Sequence, residues 1–257
     1  MKVVFHEKYF NSDYAPDPAA APGRLDGIMQ IVSRHRDQYE VVRPGPASEE
    51  DLLRAHTMTH YLQIKRDPLL YELASLAAGG AILAAEEAWR KNPSFAVIRP
   101  PGHHASADSC WGFCFFNNIS VSLLKLFSEK KIASAFVLDF DLHTGDGNIN
   151  ILGRRRDGFA VSILNPGSDR RDRYLAEVED HMRKLPGADI FVASAGFDQA
   201  VDDWGDFLHP EDYTELGRLM KEYSGKLCEG RRYALLEGGY NHDAIGINFE
   251  AFCRGFG

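Results

Sequence analysis

The feature that most constrains this chain is the alternation of short apolar runs with longer helical patterns along its whole length. The apolar runs cover residues 2–5, 39–42, 95–98, 135–140, 159–164, 189–193 and 233–236. Several of them have little polar alternation, which is typical of strands buried on both faces. Helical patterns lie between and after them, at residues 23–35, 48–55, 69–90, 119–129, 172–184 and 211–229, with another after 241. This order predicts an α/β fold with three layers, in which helices cover both faces of a mainly parallel sheet.

Capping and turn residues support the boundaries of these elements, and the sequence as a whole favours a single domain. Ser48, followed by three acidic residues ending at Asp51, is typical of a helix start. Pro93 marks a return from helix to strand. Because no linker, internal repeat or low-complexity tract divides the sequence, we predict one domain over residues 1–257. The three arginines at 154–156 are expected in a solvated turn.

The composition excludes several classes of protein. Hydrophobic residues make up 44% and charged residues 26% of the 257 residues, which is ordinary globular usage and argues against a disordered, collagenous or coiled-coil chain. The formal charge of −8 argues against nucleic-acid binding and is compatible with a cationic partner. The four cysteines form no dense pairing framework, which favours a reducing compartment. No uninterrupted apolar stretch approaches about 18 residues, so we predict a cytoplasmic protein without a membrane partner.

Asp141, His143 and Asp198 form a candidate metal site beyond the ends of two predicted strands. An aspartate and a histidine two positions apart in an extended segment can point the same way, and Asp198 could be a third ligand from a neighbouring strand end. Two carboxylates and one imidazole leave an open coordination position, as a hydrolytic zinc needs, although other divalent metals accept the same donors. Any one of these residues could instead cap a loop, but their joint placement favours a metal.

His103 and His104 follow a Pro-Pro-Gly turn and are candidates for general acid–base chemistry. Each imidazole needs a partner to fix its tautomer, and Asp139 and Asp146 are candidates. One histidine could accept a proton from water and later donate it to a leaving amine. After the last predicted strand, two glycines would let the backbone pass close to a ligand, where the Tyr240 hydroxyl could stabilise an oxyanion.

Five segments, in this order, resemble the zinc-dependent deacetylases, the superfamily of histone deacetylases and acetylpolyamine amidohydrolases. They are Arg99-Pro100-Pro101-Gly102-His103-His104, Trp111-Gly112-Phe113-Cys114-Phe115-Phe116-Asn117-Asn118, Asp139-Phe140-Asp141-Leu142-His143-Thr144-Gly145-Asp146-Gly147, Ser194-Ala195-Gly196-Phe197-Asp198 and Leu236-Glu237-Gly238-Gly239-Tyr240-Asn241. The resemblance spans most of the chain and is strongest to the bacterial or archaeal class II-like branch. It implies an arginase/deacetylase-like fold and the removal of acetyl or short acyl groups from amines.

The resemblance also implies a role for each matching residue. The zinc ligands, one set per chain, would be Asp141, His143 and Asp198. The catalytic residues would be His103 and His104, their partners Asp139 and Asp146, and the transition-state residue Tyr240. The substrate would contact the tunnel-wall residues Gly112 and Phe113, with Arg24 buried near an internal acetate pocket. A structural potassium ion is also implied, with Asp139, Asp141 and the His143 backbone as ligands and Ser162 as a less certain one.

The sequence departs from the family pattern between Ser162 and Tyr174, where it is much shorter. This gap removes the loop that usually carries the opposite aromatic wall, so we expect a shallower tunnel unless a second subunit of a homo-oligomer completes it. The shortening and the negative charge favour a small acetylated amine, such as an acetylpolyamine, as the substrate. Asp202, Asp203 and Asp206 could add negative charge at the rim, or could instead cap the approach to the next helix.

Other interpretations stay open at this point. Within the family, the alternative is a protein acetyl-lysine deacetylase, and outside it a catalytically silent metal-binding module. An arginase-like manganese hydrolase would need further carboxylates for a second metal. Cys110 and Cys114 could form a metal pair, but buried thiols are favoured because no second pair follows. His56 and His60, four residues apart, are expected to serve in packing or as a cap.

Overall fold

The computed structural model describes residues 1–153 and 155–257, and in it seven strands form a single parallel sheet. The strands are β1 (Lys2–Val4), β2 (Glu40–Val42), β3 (Ser94–Ala96), β4 (Ser134–Asp139), β5 (Ala160–Leu164), β6 (Ile190–Ala195) and β7 (Arg232–Leu236). Their order across the sheet is β2-β1-β3-β7-β6-β4-β5. Each of them overlaps a predicted strand, and the predicted α/β class is confirmed. Arg154, the first arginine of the predicted solvated turn, lies outside the described residues.

Two groups of helices cover the sheet. The helices are α1 (Asp26–Arg34), α2 (Glu49–Leu53), α3 (Met58–Lys65), α4 (Pro68–Trp89), α5 (Asn118–Ser128), α6 (Asp146–Leu152), α7 (Arg171–Lys184), α8 (Pro210–Cys228) and α9 (Ile245–Phe256). In one group α8 packs on α9, β6 and β7, and α9 also contacts α1. In the other, α4 packs on α5 and against β1, β3 and β7. The sheet is therefore the middle of three layers.

The capping residues explain where several helices begin. The Ser48 hydroxyl accepts a hydrogen bond from the backbone N–H of Asp51 at 3.1 Å, as its sequence context predicts. Asp67 caps α4 in the same way, and Asn117 caps α5. Neither α3 nor α6 was predicted from the sequence.

Helix α4 is the most apolar helix in the described ranges. By length and composition it could cross a membrane, yet 61% of its apolar window is buried inside the molecule. Small residues such as Ala77, Ala78 and Ala81 are fully buried there. Because these residues pack toward three strands and α5, the core of the domain accounts for the composition of this helix.

The four central strands position the functional residues. Every residue of β3, β6 and β7 is buried, as are all but the first of β4. These strands are adjacent, in the order β3-β7-β6-β4, and their carboxyl ends lie at one edge of the sheet. In parallel sheets this is the edge where ligands bind.

Candidate active site

The candidate site lies beyond the carboxyl ends of β3, β7, β6 and β4. The histidine pair follows β3, Tyr240 follows β7, Asp198 follows β6, and the Asp141-to-His143 segment follows β4. Because these strands are neighbours, the structure brings the four polar clusters of the sequence to one place, as expected for adjacent parallel strands.

Asp141, His143 and Asp198 converge as a group that could hold a metal ion. Their ligand atoms all lie within 4.8 Å of one another. The His143 Nδ1 atom is 3.2 Å from Oδ1 of Asp141 and 3.2 Å from Oδ2 of Asp198. The other oxygens are bound by the backbone, since Gly238 N–H donates to Oδ2 of Asp141 at 2.8 Å and Leu142 N–H donates to Oδ1 of Asp198 at 3.0 Å. The backbone thus fixes both carboxylates with their remaining oxygens facing the imidazole.

The electrostatics of this group fit a bound cation. Burial and the neighbouring charge of Asp141 raise the pKa of Asp198 to about 6. The hydrogen bond with Asp141 and the nearby carboxylate of Asp198 raise the pKa of His143 to about 10. The Oδ2 atom of Asp198 is buried and has no hydrogen-bond partner among the described residues. A divalent cation would use this oxygen and offset two buried negative charges, and carboxylate and imidazole donors suit zinc and several other divalent metals.

The carboxylates of Asp141 and Asp198 lie against the backbone of Gly238 and leave no room for a side chain there. A Cβ at this position would lie 2.6 Å from Oδ2 of Asp141 and 2.6 Å from Oδ2 of Asp198. Any side chain would displace the two carboxylates that face His143.

The two histidines form separate dyads with the partners expected for them. His103 Nδ1 lies 3.3 Å from Oδ2 of Asp139, and both side chains are buried. His104 Nδ1 lies 2.7 Å from Oδ1 of Asp146, whose side chain is 48% exposed. The two imidazole rings are 4.0 Å apart, centre to centre. The His103–Asp139 dyad is therefore buried, and the His104–Asp146 dyad is in contact with solvent through Asp146.

The environments of the two dyads shift the histidine pKa values in opposite directions. Burial alone would lower the pKa of His103, but the negative charges of Asp141 and Asp139 outweigh it and raise that pKa. Burial and the charge of His103 lower the pKa of His104, although Asp146 opposes the shift. A pair of titratable groups with separated pKa values is typical of acid–base catalysis.

Glu237 holds the histidine segment, a role that sequence reasoning did not give it. Its Oε2 atom accepts hydrogen bonds from the N–H groups of Gly102 at 2.7 Å and His103 at 3.1 Å. Burial raises the pKa of this carboxyl to about 7. Cys114 lies in the same buried group, with its sulfur within 4.8 Å of ligand atoms of His103 and Glu237. The link ties the end of β7 to the segment after β3.

Arg24 supports the segment that carries Tyr240. It is fully buried, and its Nε donates to the Gly239 carbonyl at 2.7 Å while Nη2 donates to the Glu237 carbonyl at 2.5 Å. Its guanidinium carbon lies 5.5 Å from the centre of the Tyr240 ring. The arginine therefore contacts the backbone and the ring of the predicted catalytic segment.

Comparison with known proteins identifies the family. Residues 64–170 match the family model described as the histone deacetylase domain. A probable deacetylase of Methanothermobacter thermautotrophicus is 30% identical, over 98% of this chain and 90% of its own length. This chain belongs to the histone deacetylase family. A histone deacetylase-like amidohydrolase of Pseudomonas aeruginosa is also 30% identical, over 85% of this chain and 70% of its own.

A solved structure shows that the fold is shared as well. The structure titled "Crystal Structure of HDA15 HD domain" superposes with a TM-score of 0.81, covering 98% of this chain and 87% of that one at 21% sequence identity. The predicted deacetylase-like fold is thereby confirmed.

The rim of this family member is built from aromatic side chains on loops. Gly112 and Phe113 both have a left-handed backbone, with φ of 57° and 65°. A Cβ on Gly112 would collide with the ring of His104, so the turn passes directly over that imidazole. The ring of Phe113 meets the Tyr240 ring nearly at right angles, 6.0 Å away. Phe113, expected as a tunnel wall, thus lies beside the predicted catalytic tyrosine.

Two exposed tryptophans at the rim were not predicted as site residues. The indole of Trp111 lies over the His104 ring, 3.8 Å between centres, and its Nε1 donates to Oδ2 of Asp146 at 2.9 Å. The indole of Trp204 lies over the Tyr240 ring, 4.0 Å between centres. The signal available in the sequence was their position, since each lies within seven residues of a predicted site residue.

Ser162 does not lie where the predicted potassium site needs it. In the sheet it pairs with Phe136, three residues before Asp139, and its hydroxyl contacts His181 Nε2 at 2.9 Å. The Asp139 carbonyl instead receives the side-chain amide of Asn165 at 3.3 Å. The Ser162 assignment is therefore wrong, and the potassium ion itself stays a prediction.

The remaining sequence candidates are structural. His56 Nδ1 lies 3.0 Å from the Ser106 carbonyl, and its Nε2 accepts the N–H of Asn117 at 2.9 Å. His60 Nε2 lies 2.7 Å from the Phe115 carbonyl. The two buried histidines thus hold the loop that leads to α5, in agreement with the packing interpretation.

Proposed function

We propose that this chain is a zinc-dependent amidohydrolase that removes acetyl or short acyl groups from small amines. The observation that carries the proposal is the placement of one three-ligand group beside two histidine–aspartate dyads and a half-buried tyrosine. A silent metal-binding module would have no need of the proton-transfer dyads or of Tyr240.

The chain's own residues account for the steps of amide hydrolysis. Asp141, His143 and Asp198 would hold the zinc, which as a Lewis acid polarises an amide carbonyl. The two histidines move the protons: the pair accepts one from the attacking water, and His104 donates one to the departing amine nitrogen. Burial raises the pKa of Tyr240, which keeps its hydroxyl protonated to donate a hydrogen bond to the oxyanion.

The aspartates behind the histidines act as positioning residues. Asp139 and Asp146 each face the Nδ1 atom of one imidazole, so the Nε2 atom of each ring is left for the reaction. Because Asp146 also binds the indole of Trp111, the His104 dyad is fixed from two sides.

A small acylated amine is the proposed substrate class, with a mono-acetylated diamine or polyamine as the best candidate. The connection from β5 to α7 is only six residues long, which leaves little protein there to grip a peptide. The net charge of −8 favours a cation. The alternative is an acetyl-lysine protein, in line with the printed name of the Pseudomonas relative as histone deacetylase-like.

The test is acetate release from three substrates: N-acetylputrescine, the neutral N-pentylacetamide and an acetyl-lysine histone-tail peptide. Zinc-loaded protein is expected to release acetate, with the highest kcat/KM for N-acetylputrescine, and a chelator should abolish release. Chelator-insensitive hydrolysis, or none from any substrate, would contradict the amidohydrolase proposal. A preferred peptide would overturn only the substrate class.

A further inference from the structure

Trp204 lies at the rim of the site with one face on Tyr240 and the other toward solvent. The two ring planes are 27° apart, and the indole is also nearly perpendicular to the His143 ring, 6.4 Å away. The residue nevertheless remains 54% exposed. A large apolar side chain that is stacked on a reactive group and still half exposed has a surface free for a ligand.

The loop of Trp204 is rigidly tied to the site. Both oxygens of Asp203 are used by backbone N–H groups: Oδ1 by Trp204 at 2.8 Å, and Oδ2 by Tyr240 and Asn241 at 2.7 Å each. The N–H of Gly205 donates to the carbonyl of Asp198 at 2.7 Å. These hydrogen bonds therefore fix the position of the indole relative to Asp198, a predicted metal ligand, and Tyr240, the predicted catalytic tyrosine.

The charges around Trp204 indicate what its free face binds. Asp202 and Asp206, two residues to either side, are exposed. Asp203 belongs to the backbone network and adds no free rim carboxylate. An indole face on a loop with two exposed carboxylates is suited to an organic ammonium, because the ring quadrupole attracts a cation more strongly than it attracts a neutral chain.

We propose that Trp204 is the specificity-determining wall of the entrance and that its solvent face binds the ammonium end of the acylated amine. Trp204 and Phe113 both contact the Tyr240 ring, and Trp204 lies on a different loop from the one that is shortened between Ser162 and Tyr174. The inference rests on the proposed function and deepens it, since it names the group that selects a cationic substrate.

The activity test compares a cationic and a neutral substrate, because a Trp204 that only stabilised the fold would affect both equally. The measured quantity is kcat/KM for N-acetylputrescine divided by kcat/KM for N-pentylacetamide. The two substrates are equally long, and they differ only in that the first ends in an ammonium and the second in a methyl group. Trp204→Leu keeps the apolar bulk but not the ring, and should lower this ratio about 2- to 30-fold, mainly through KM. Trp204→Phe should restore most of it. An unchanged ratio in Trp204→Leu would overturn the inference.

The matched control is Trp89→Phe. Trp89 ends α4 near the start of β3, at the opposite edge of the sheet, where its ring faces Arg231. This variant should keep the wild-type ratio. If it changed the ratio as much as Trp204→Leu does, the effect would be global and the inference wrong.

A binding test separates this inference from the proposed function. In the double variant Trp89→Phe and Trp111→Phe, Trp204 is the remaining tryptophan and reports on its own surroundings. N-acetylputrescine added to metal-free protein should change its emission saturably, and N-pentylacetamide at the same concentration should do so much less. Equal responses, or none, would overturn the inference even if the enzyme hydrolyses amides. A selective response of the metal-free protein, together with no hydrolysis by the zinc-loaded protein, would support the binding surface and contradict only the proposed function.

Discussion

The floor and the rim of the site are held in different ways. The floor, defined as Asp141, His143, Asp198 and the two histidines, lies within a few residues of buried parallel strands, and each side chain has a polar partner. The rim, defined as Trp111, Phe113 and Trp204, lies on loops and presents aromatic surface to solvent. Because the floor carries the predicted metal ligands and proton-transfer residues and the rim offers aromatic surface to the substrate, we expect the floor to set the chemistry and the rim to set selectivity. Substitutions in the floor should therefore abolish function, and substitutions of Phe113 or Trp204 should change substrate preference. Trp111 also contacts the His104 dyad of the floor and should behave differently.

The largest effect is expected when a metal ligand is removed from the floor. Asp198→Ala should reduce bound zinc from one ion per chain to nearly none, because only two of the three ligands remain. Elemental analysis of the dialysed protein measures this directly. Asp180→Ala, on the exposed face of α7, is the control and should keep the wild-type content. Equal zinc in the Asp198 variant and the wild type would remove Asp198 from the ligand set.

The second largest effect is expected for the dyad of His104 and Asp146. His104→Ala should lower kcat by about 10²- to 10⁴-fold, the usual contribution of a general acid–base group. Steady-state kinetics on the zinc-loaded protein checks it, with bound zinc measured in parallel. His35→Ala is the control: this imidazole lies at the surface, 3.5 Å from a carboxylate oxygen of Glu250, and its loss should leave kcat unchanged. If kcat of the His104 variant stayed within threefold of the wild-type value, this imidazole would not transfer a proton that the reaction needs.

Loss of the tyrosine hydroxyl should be somewhat milder. Tyr240→Phe removes one oxyanion donor and should lower kcat by about 10²- to 10³-fold. Its ring contacts with Trp204 and Phe113 would remain, so substrate KM should change little. Tyr223→Phe on α8 serves as the control. If KM rose instead while kcat stayed constant, the hydroxyl would serve in binding and not in catalysis.

At the boundary between floor and rim, Trp111 should show an intermediate effect. Trp111→Phe keeps an aromatic ring over His104 but removes the Nε1 bond to Asp146, so kcat should fall by about 3- to 10-fold, the equivalent of one hydrogen bond of about 1 kcal/mol. The ratio between cationic and neutral substrates should stay the same. A changed ratio with unchanged kcat would place Trp111 among the selectivity residues of the rim.

The smallest effect is expected for the rim charges. Asp202→Asn combined with Asp206→Asn should reduce the preference for N-acetylputrescine about fivefold at low salt, because exposed charges contribute about 0–1 kcal/mol each. Added salt should shrink the difference from wild type. A reduction that persists at high salt would mean that the aspartates act through direct contact or through the loop fold.

The floor was predictable because motif and topology agree. Residues that follow consecutive buried runs must meet at one edge if the strands are parallel, and the order β3-β7-β6-β4 brings together His103, Asp141, Asp198 and Tyr240. The sheet itself was predictable because continuous apolar runs such as residues 190–193 of β6 are typical of buried strands.

The two rim tryptophans and two helices were not predicted, for physical reasons. Helix α3 has no clear apolar face, and α6 begins inside the polar segment after His143, so neither shows helical periodicity. Trp204 reaches Tyr240 through hydrogen bonds between Asp203 and a backbone segment nearly forty residues later. Ser162 was placed by motif likeness alone, and the register that pairs it with Phe136 is visible only in the folded sheet.

The most direct test of the account is a zinc titration of metal-free protein, followed by acetate release from N-acetylputrescine. The account predicts that the rate rises linearly with added zinc and reaches a plateau at one equivalent per chain, and that Asp198→Ala gives no such rise. Stoichiometric zinc binding without acetate release from any of the three substrates would contradict it, as would a rate that does not depend on zinc.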